Sequence, residues 1–211
     1  MRIWLFHPIV FYPLAGLLAA LVIALSIQPQ AWPRPAAPVA GEVDGRFLVL
    51  RRAAFDTPRP APGQYVTVTR NLWGQAQTLR IAQMPSQTPP TPAEAGVQIV
   101  LEEAQAAHIR SGAVTVEVSY RPLPVNPASG LAISLQGGGP TTWVSQSAPP
   151  QAATLRFNLP AQPGATAIGL RALSEGEDQA YGLEITRIRV SPRATPPPQP
   201  APEAAPQVAP N

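Results

Sequence analysis

The sequence predicts an all-β fold, an antiparallel sandwich carried behind one membrane-spanning helix. Three observations predict it. An uncharged apolar run occupies Ile9 to Ile27, proline-rich stretches flank a central body, and that body alternates apolar and polar residues with period two between Pro/Gly turns.

No charged residue lies between Arg2 and Arg34. Residues 9–27 read IVFYPLAGLLAALVIALSI, and at roughly 1.5 Å rise per residue such a helix spans the ~30 Å hydrocarbon layer of a bilayer. Trp4, Phe6, Phe11 and Tyr12 gather at one end and Trp32 beyond the other, where amphipathic rings prefer the headgroup level. Pro8 suits a helix start, and Pro13 still falls in the first turns. A cleaved signal peptide has an apolar core of only ~7–15 residues before a small-x-small site. Here Gln28-Pro29-Gln30-Ala31-Trp32-Pro33 follows, so the segment reads as an uncleaved signal anchor. Arg2 on the short side places residues 1–8 in the cytoplasm and the body outside.

Residues 28–40 form an Ala/Pro-rich linker, expected as a stiff spacer between membrane and body. Residues 192–211, with ATPPPQPAPEAAPQVAPN, lack periodicity and read as a disordered Pro-rich tail. The β-sandwich domain is expected over 41–191. Its strands are Phe47 to Leu50, Gln64 to Arg70, the region of Leu79 and Ile81, Val97 to Leu101, Ala113 to Arg121, Leu131 to Leu135, Thr142 to Ser145, Leu155 to Leu159, Ile168 to Leu170, and Tyr181 to Val190. A short helical turn is expected at Glu103 to Ile109, and Thr91-Pro92-Ala93-Glu94 has capping-box spacing. In the last strand Leu183 and Ile185 share one parity, Ile188 and Val190 the other. A bulge near Thr186 reconciles them.

Composition narrows function. Of 211 residues 29 are proline and 13% are charged. Cysteine is absent, which removes disulfides, thiolate metal sites and cysteine catalysis. All 15 basic residues are arginine and scattered along the chain, which argues against a nucleic-acid-binding face. His7 and His108 have no triad or zinc partner in view. The chain is therefore expected to be no enzyme and to need no cofactor.

From GVQIVLEEAQAAHIRSGAVTVEVSYRP through GLAISLQ, a glycine turn with Trp143, ATLRFNLPA, AIGLRAL and YGLEITRIRVSP, the order of elements resembles the galactose-binding-like jelly roll of many carbohydrate-binding modules. The resemblance covers roughly residues 96–192. It implies a jelly-roll sandwich whose closing strand returns to the core, and a ligand on a concave face or in end loops. The same fold also serves in protein–protein contacts.

Polar-parity residues Glu117, Ser119, Arg121, Ser134, Gln136, Arg156, Asn158 and Arg171 would form one polar stripe if their strands were neighbours, with Trp143 nearby. The candidate ligand-binding set is Trp143, Trp73, Arg121, Gln136, Glu117 and Arg156. The stripe equally describes a solvated sheet face, and either tryptophan equally suits a core position. Glu175, Glu177 and Asp178 are the weak candidates for a structural Ca2+, the alternative being a solvated hairpin tip. The expected function is a membrane-anchored periplasmic module of a bacterial inner membrane, binding glycan or a glycan-processing protein. The alternative is an envelope scaffold whose sandwich docks another membrane protein.

Overall fold

The computed structural model describes residues 7–27, 33–84, 96–174 and 181–193. It shows one long apolar helix and a two-sheet antiparallel β-sandwich. Thr91 to Glu94, the acidic residues 175–178 and the tail from 194 onward lie outside the described residues.

Helix α1 spans Pro8–Ile27 and is long and apolar enough to cross a membrane. Its described side chains are almost all exposed, so nothing among the described residues covers them. The Ser26 hydroxyl donates to the Val22 carbonyl at 2.8 Å, which satisfies it within the helix as an apolar surrounding demands. Pro13 lies inside the helix and leaves the Ile9 carbonyl without its usual donor.

The larger sheet holds seven strands: β1 (Glu42–Asp44), β2 (Phe47–Leu50), β3 (Gln64–Arg70), β4 (Ala76–Gln83), β6 (Val114–Pro122), β9 (Ala153–Leu159) and β11 (Tyr181–Pro192). The smaller is ordered β5 (Val97–Val100), β10 (Ala165–Leu173), β7 (Gly130–Gly137) and β8 (Val144–Ser147). Their facing sides meet in one core, where Leu48, Ile81, Val116, Phe157 and Ile188 of the large sheet pack with Ile99, Ile133 and Ile168 of the small one. Helix α2 (Glu103–Arg110) closes one end with buried Ala106 and Ile109, and Arg110 Nε donates to the Ala165 carbonyl at 2.7 Å.

β11 organises the large sheet. One edge pairs with β6 along almost its whole length; the other pairs with β4 at residues 181–185 and then with β2 at 188–190. The register against β6 shifts between Ile185 and Arg187, so the bulge lies at Thr186 as the parity change requires. It also marks the handover from β4 to β2, and Leu183, Ile185, Ile188 and Val190 are all buried.

Part of the segment expected as a spacer is docked on the sandwich. Val39 is buried and bridges Leu101: its N–H donates to the Val100 carbonyl at 2.9 Å, and its carbonyl accepts from Glu102 N at 3.1 Å. Thr57 Oγ1 donates to the Ala37 carbonyl at 2.9 Å. Arg34 and Arg70 both pair with Asp56, and both also reach the Gly74 carbonyl, at 3.3 and 3.2 Å. The Arg70 side chain is only 3% exposed. Burial pushes the Asp56 carboxyl up, but the hydrogen bonds from Arg70 and Arg34 outweigh it and hold its pKa below the ordinary value.

Candidate functional site

Period two puts Gln98, Ser134 and Gly169 on the outer face of the small sheet. They lie directly across from one another on β5, β7 and β10. Gln136, two residues on from Ser134, shares that face. The Gln98 Nε2 group donates to Gln136 Oε1, and Gln136 Nε2 donates to Ser134 Oγ at 3.1 Å. Ser134 and Gln136 are buried although they face away from the core. Glycine at 169 makes this possible: a Cβ there would meet Ser134 Oγ at 2.6 Å and the Gln136 amide closer still. The amide therefore lies across β10 in space that any other residue would fill.

One row away on the same face, Arg171 stands opposite Ala132, which in turn pairs with Ser145. Its guanidinium carbon sits 4.0 Å from the centre of the Trp143 ring, a cation–π contact. The indole edge reaches Gly96, whose φ is +65° and where a Cβ would meet the ring and the Leu170 carbonyl at 2.7 Å. Gly96 thus serves the backbone turn and the close approach of the ring at once.

A cavity of about 250 Å³ opens over the glutamine pair, lined by Arg59, Gln98, Gln136, Thr141 and Thr166 among others. Arg59 is held there by its backbone, which exchanges two 2.8 Å hydrogen bonds with Gln98 and extends the β5 edge. Its exposed side chain is free of that duty. The wall thus offers amide, hydroxyl and guanidinium groups around a neutral floor. Those groups recognise hydroxyl-rich or carboxylate-bearing molecules by hydrogen bonding.

The expected single stripe is corrected by the sheet order. Glu117, Ser119, Arg121, Arg156 and Asn158 lie on β6 and β9, on the outer face of the large sheet. Ser134, Gln136 and Arg171 lie on the small sheet, on the opposite side of the sandwich. Alternation assigns a side chain to a face but not a strand to a sheet. On the large sheet Glu117 faces Arg156 and Arg189, with Arg189 Nη1 at 3.6 Å, and Arg121 faces Glu184. This is an alternating charged ladder, typical of a solvated face. Of the six candidate residues, then, Trp143 and Gln136 lie on the outer side of the small sheet, and Glu117, Arg121 and Arg156 on that of the large one. Trp73 lies elsewhere, in the turn between β3 and β4, 81% exposed. Sequence reasoning passed over Gln98 and Arg59. Gln98 was legible as the polar partner of Val97 and Ile99, whereas nothing local marks Arg59, which sits among prolines. Among the described residues no group of three His, Asp or Glu side chains could hold a metal ion.

No family model matches the chain, and no curated protein matches it. Among solved structures it is similar to the apo CBM1 of BiXyn10A, at 9% identity and a TM-score of 0.39, covering 74% of this chain and 93% of that one. It is also similar to the CBM22-1 xylan-binding domain of Paenibacillus barcinonensis Xyn10C, at 17% identity and a TM-score of 0.39, covering 75% and 100%. The CBM22-1-CBM22-2 tandem domain of the same enzyme gives 17% and 0.41, covering 78% of this chain and 49% of that chain.

Proposed function

We propose that the protein is a membrane-anchored, non-catalytic jelly-roll module that binds carbohydrate on the outer face of its small sheet. α1 holds it in a bacterial inner membrane with the short amino end in the cytoplasm and the sandwich in the periplasm. The observation that carries this reading is the hydrogen-bonded chain Gln98–Gln136–Ser134 under the cavity of about 250 Å³. Sugars are held by a few fixed donors and acceptors, and side chains already hydrogen-bonded to each other lose little freedom when a ligand arrives. The Trp143–Arg171 stack supports the neighbouring row and keeps the face in shape.

The test is retention of the full chain, in lipid nanodiscs free of glycosidic detergent, on a panel of plant and bacterial-envelope polysaccharides. Retention on at least one is expected. Arg59→Ala, which spares the backbone bridge, and Gln136→Ala are expected to weaken it about tenfold or more, the loss of a charge-assisted contact in the first and of one or two neutral hydrogen bonds in the second. Retention on none, with a single stoichiometric protein recovered by crosslinking, would replace this reading with the envelope scaffold.

A further inference from the structure

The two most exposed large apolar side chains in the described part of the sandwich are neighbours. Leu72 is 89% and Trp73 81% exposed, at the tip between β3 and β4. An indole normally finds cover in its own protein. This tip is held rigidly in the exposed arrangement. Asn71 Oδ1 accepts from Trp73 N at 3.1 Å and Gln75 N at 2.9 Å, Asn71 Nδ2 donates to Gln75 Oε1 at 2.9 Å, and Gly74 N donates to the Asn71 carbonyl at 2.9 Å. The side chains are therefore presented by construction.

The tip lies where the chain arrives from α1. Arg34 donates to the carbonyl of Gly74, the residue after Trp73. From Ile27, the last residue of α1, to Pro33 is six residue steps, roughly 22 Å at full stretch. Arg34, Arg51 and Arg52 line one groove with Trp73; there Arg34 is paired with Asp56 and Arg51 with Glu42, while Arg52 forms no salt bridge among the described residues. A tryptophan and a leucine beside an exposed arginine match the chemistry of a bilayer interface, where rings settle at headgroup depth and arginines meet anionic phosphates.

We infer that the Leu72–Trp73 tip docks the sandwich onto the surface of the membrane that α1 crosses, with Arg52 on lipid phosphate. The short tether keeps the tip at high local concentration near lipid, so even a weak interfacial affinity suffices. The inference rests on α1 spanning the bilayer, and the test separates the two.

The chain has no cysteine, so single cysteines can be labelled with an environment-sensitive fluorophore. The full chain carrying Leu72→Cys, Leu18→Cys or Val125→Cys is reconstituted in phosphatidylcholine vesicles with about a third phosphatidylglycerol. Lipids bearing quenchers at headgroup or mid-chain depth are then added. The Leu18 label should be quenched from mid-chain depth and the Leu72 label from headgroup depth. The Val125 label, on an exposed residue between β6 and β7, should stay in water. Adding Trp73→Glu should cut quenching at Leu72 about threefold or more without altering the thermal melt, since the side chain is exposed. Quenching at Leu18 with none at Leu72 overturns the docking alone. Quenching at neither overturns the span and the docking with it. Unchanged quenching at Leu72 in the Trp73→Glu protein also overturns it.

Discussion

Replacing Asp56 by alanine removes the counter-charge of Arg70, whose side chain is 3% exposed. Leaving a buried charge without its partner costs about 3–5 kcal/mol. Arg70 keeps two backbone acceptors, the Asp56 carbonyl at 3.1 Å and the Gly74 carbonyl at 3.2 Å, which argues for the lower end. Among the described residues its Nε has no acceptor, so no spare bond offsets the loss. Near 3 kcal/mol, a domain of this size should melt roughly 6–12 °C lower. Arg34, also bound to Asp56, is half exposed and contributes at most about 1 kcal/mol. Thermal unfolding of the full chain, followed by circular dichroism at the β-sheet band, reads the shift. Hydrogen exchange at Val39 N reads whether residues 33–39 come loose. The double variant D56A/R70M, which removes the stranded charge, should recover half the loss or more. A fall of under about 1 kcal/mol for D56A, or no recovery in the double variant, would refute the argument from a buried ion pair.

Two further outcomes follow from the same structure. Because Asp56 has a folded-state pKa below its unfolded value of about 3.9, its contribution is complete above that value and fades as pH falls through the folded one. Urea midpoints of the parent and D56N should therefore converge as pH drops from roughly 4 to 2, and parallel curves would contradict this. Deleting Thr186 removes the bulge, so one of the pairs Leu183/Ile185 or Ile188/Val190 must turn to solvent. At about 1.5–3 kcal/mol per side chain the chain should lose roughly 3–6 kcal/mol, read as loss of a cooperative melt.

The strands were legible wherever period two ran long. β3 and α2 lie at the expected residues to within one position, and the parity change in β11 located its bulge. β1 and the 3-10 turn Arg52–Phe55 were not legible. The first is three exposed residues, and the second depends on a non-glycine φ of +50° at Arg52 that no local pattern announces. Trp143 falls one residue before β8 because its ring lies over Gly96 and Arg171. The docking of residues 33–40 was hidden for another reason. It depends on backbone bonds of Val39 and on an ion pair between residues 22 positions apart, neither of which alters composition. The site split for the reason already given: Glu117 and Gln136 occupy equivalent polar positions in their strands, and only long-range pairing sends them to different sheets.

The central place of β11 has a consequence for biosynthesis. As the chain emerges amino end first, β2, β4 and β6 leave the ribosome with one hydrogen-bonding edge each awaiting residues 181–192. Unsatisfied edges of that kind invite pairing with neighbouring nascent chains. Assembly must then be late and concerted, with contacts of long sequence separation closing together, and such closure is slow. Loss of residues 181–192 to a premature stop would strip three strands of their shared neighbour and leave a species for proteases to clear.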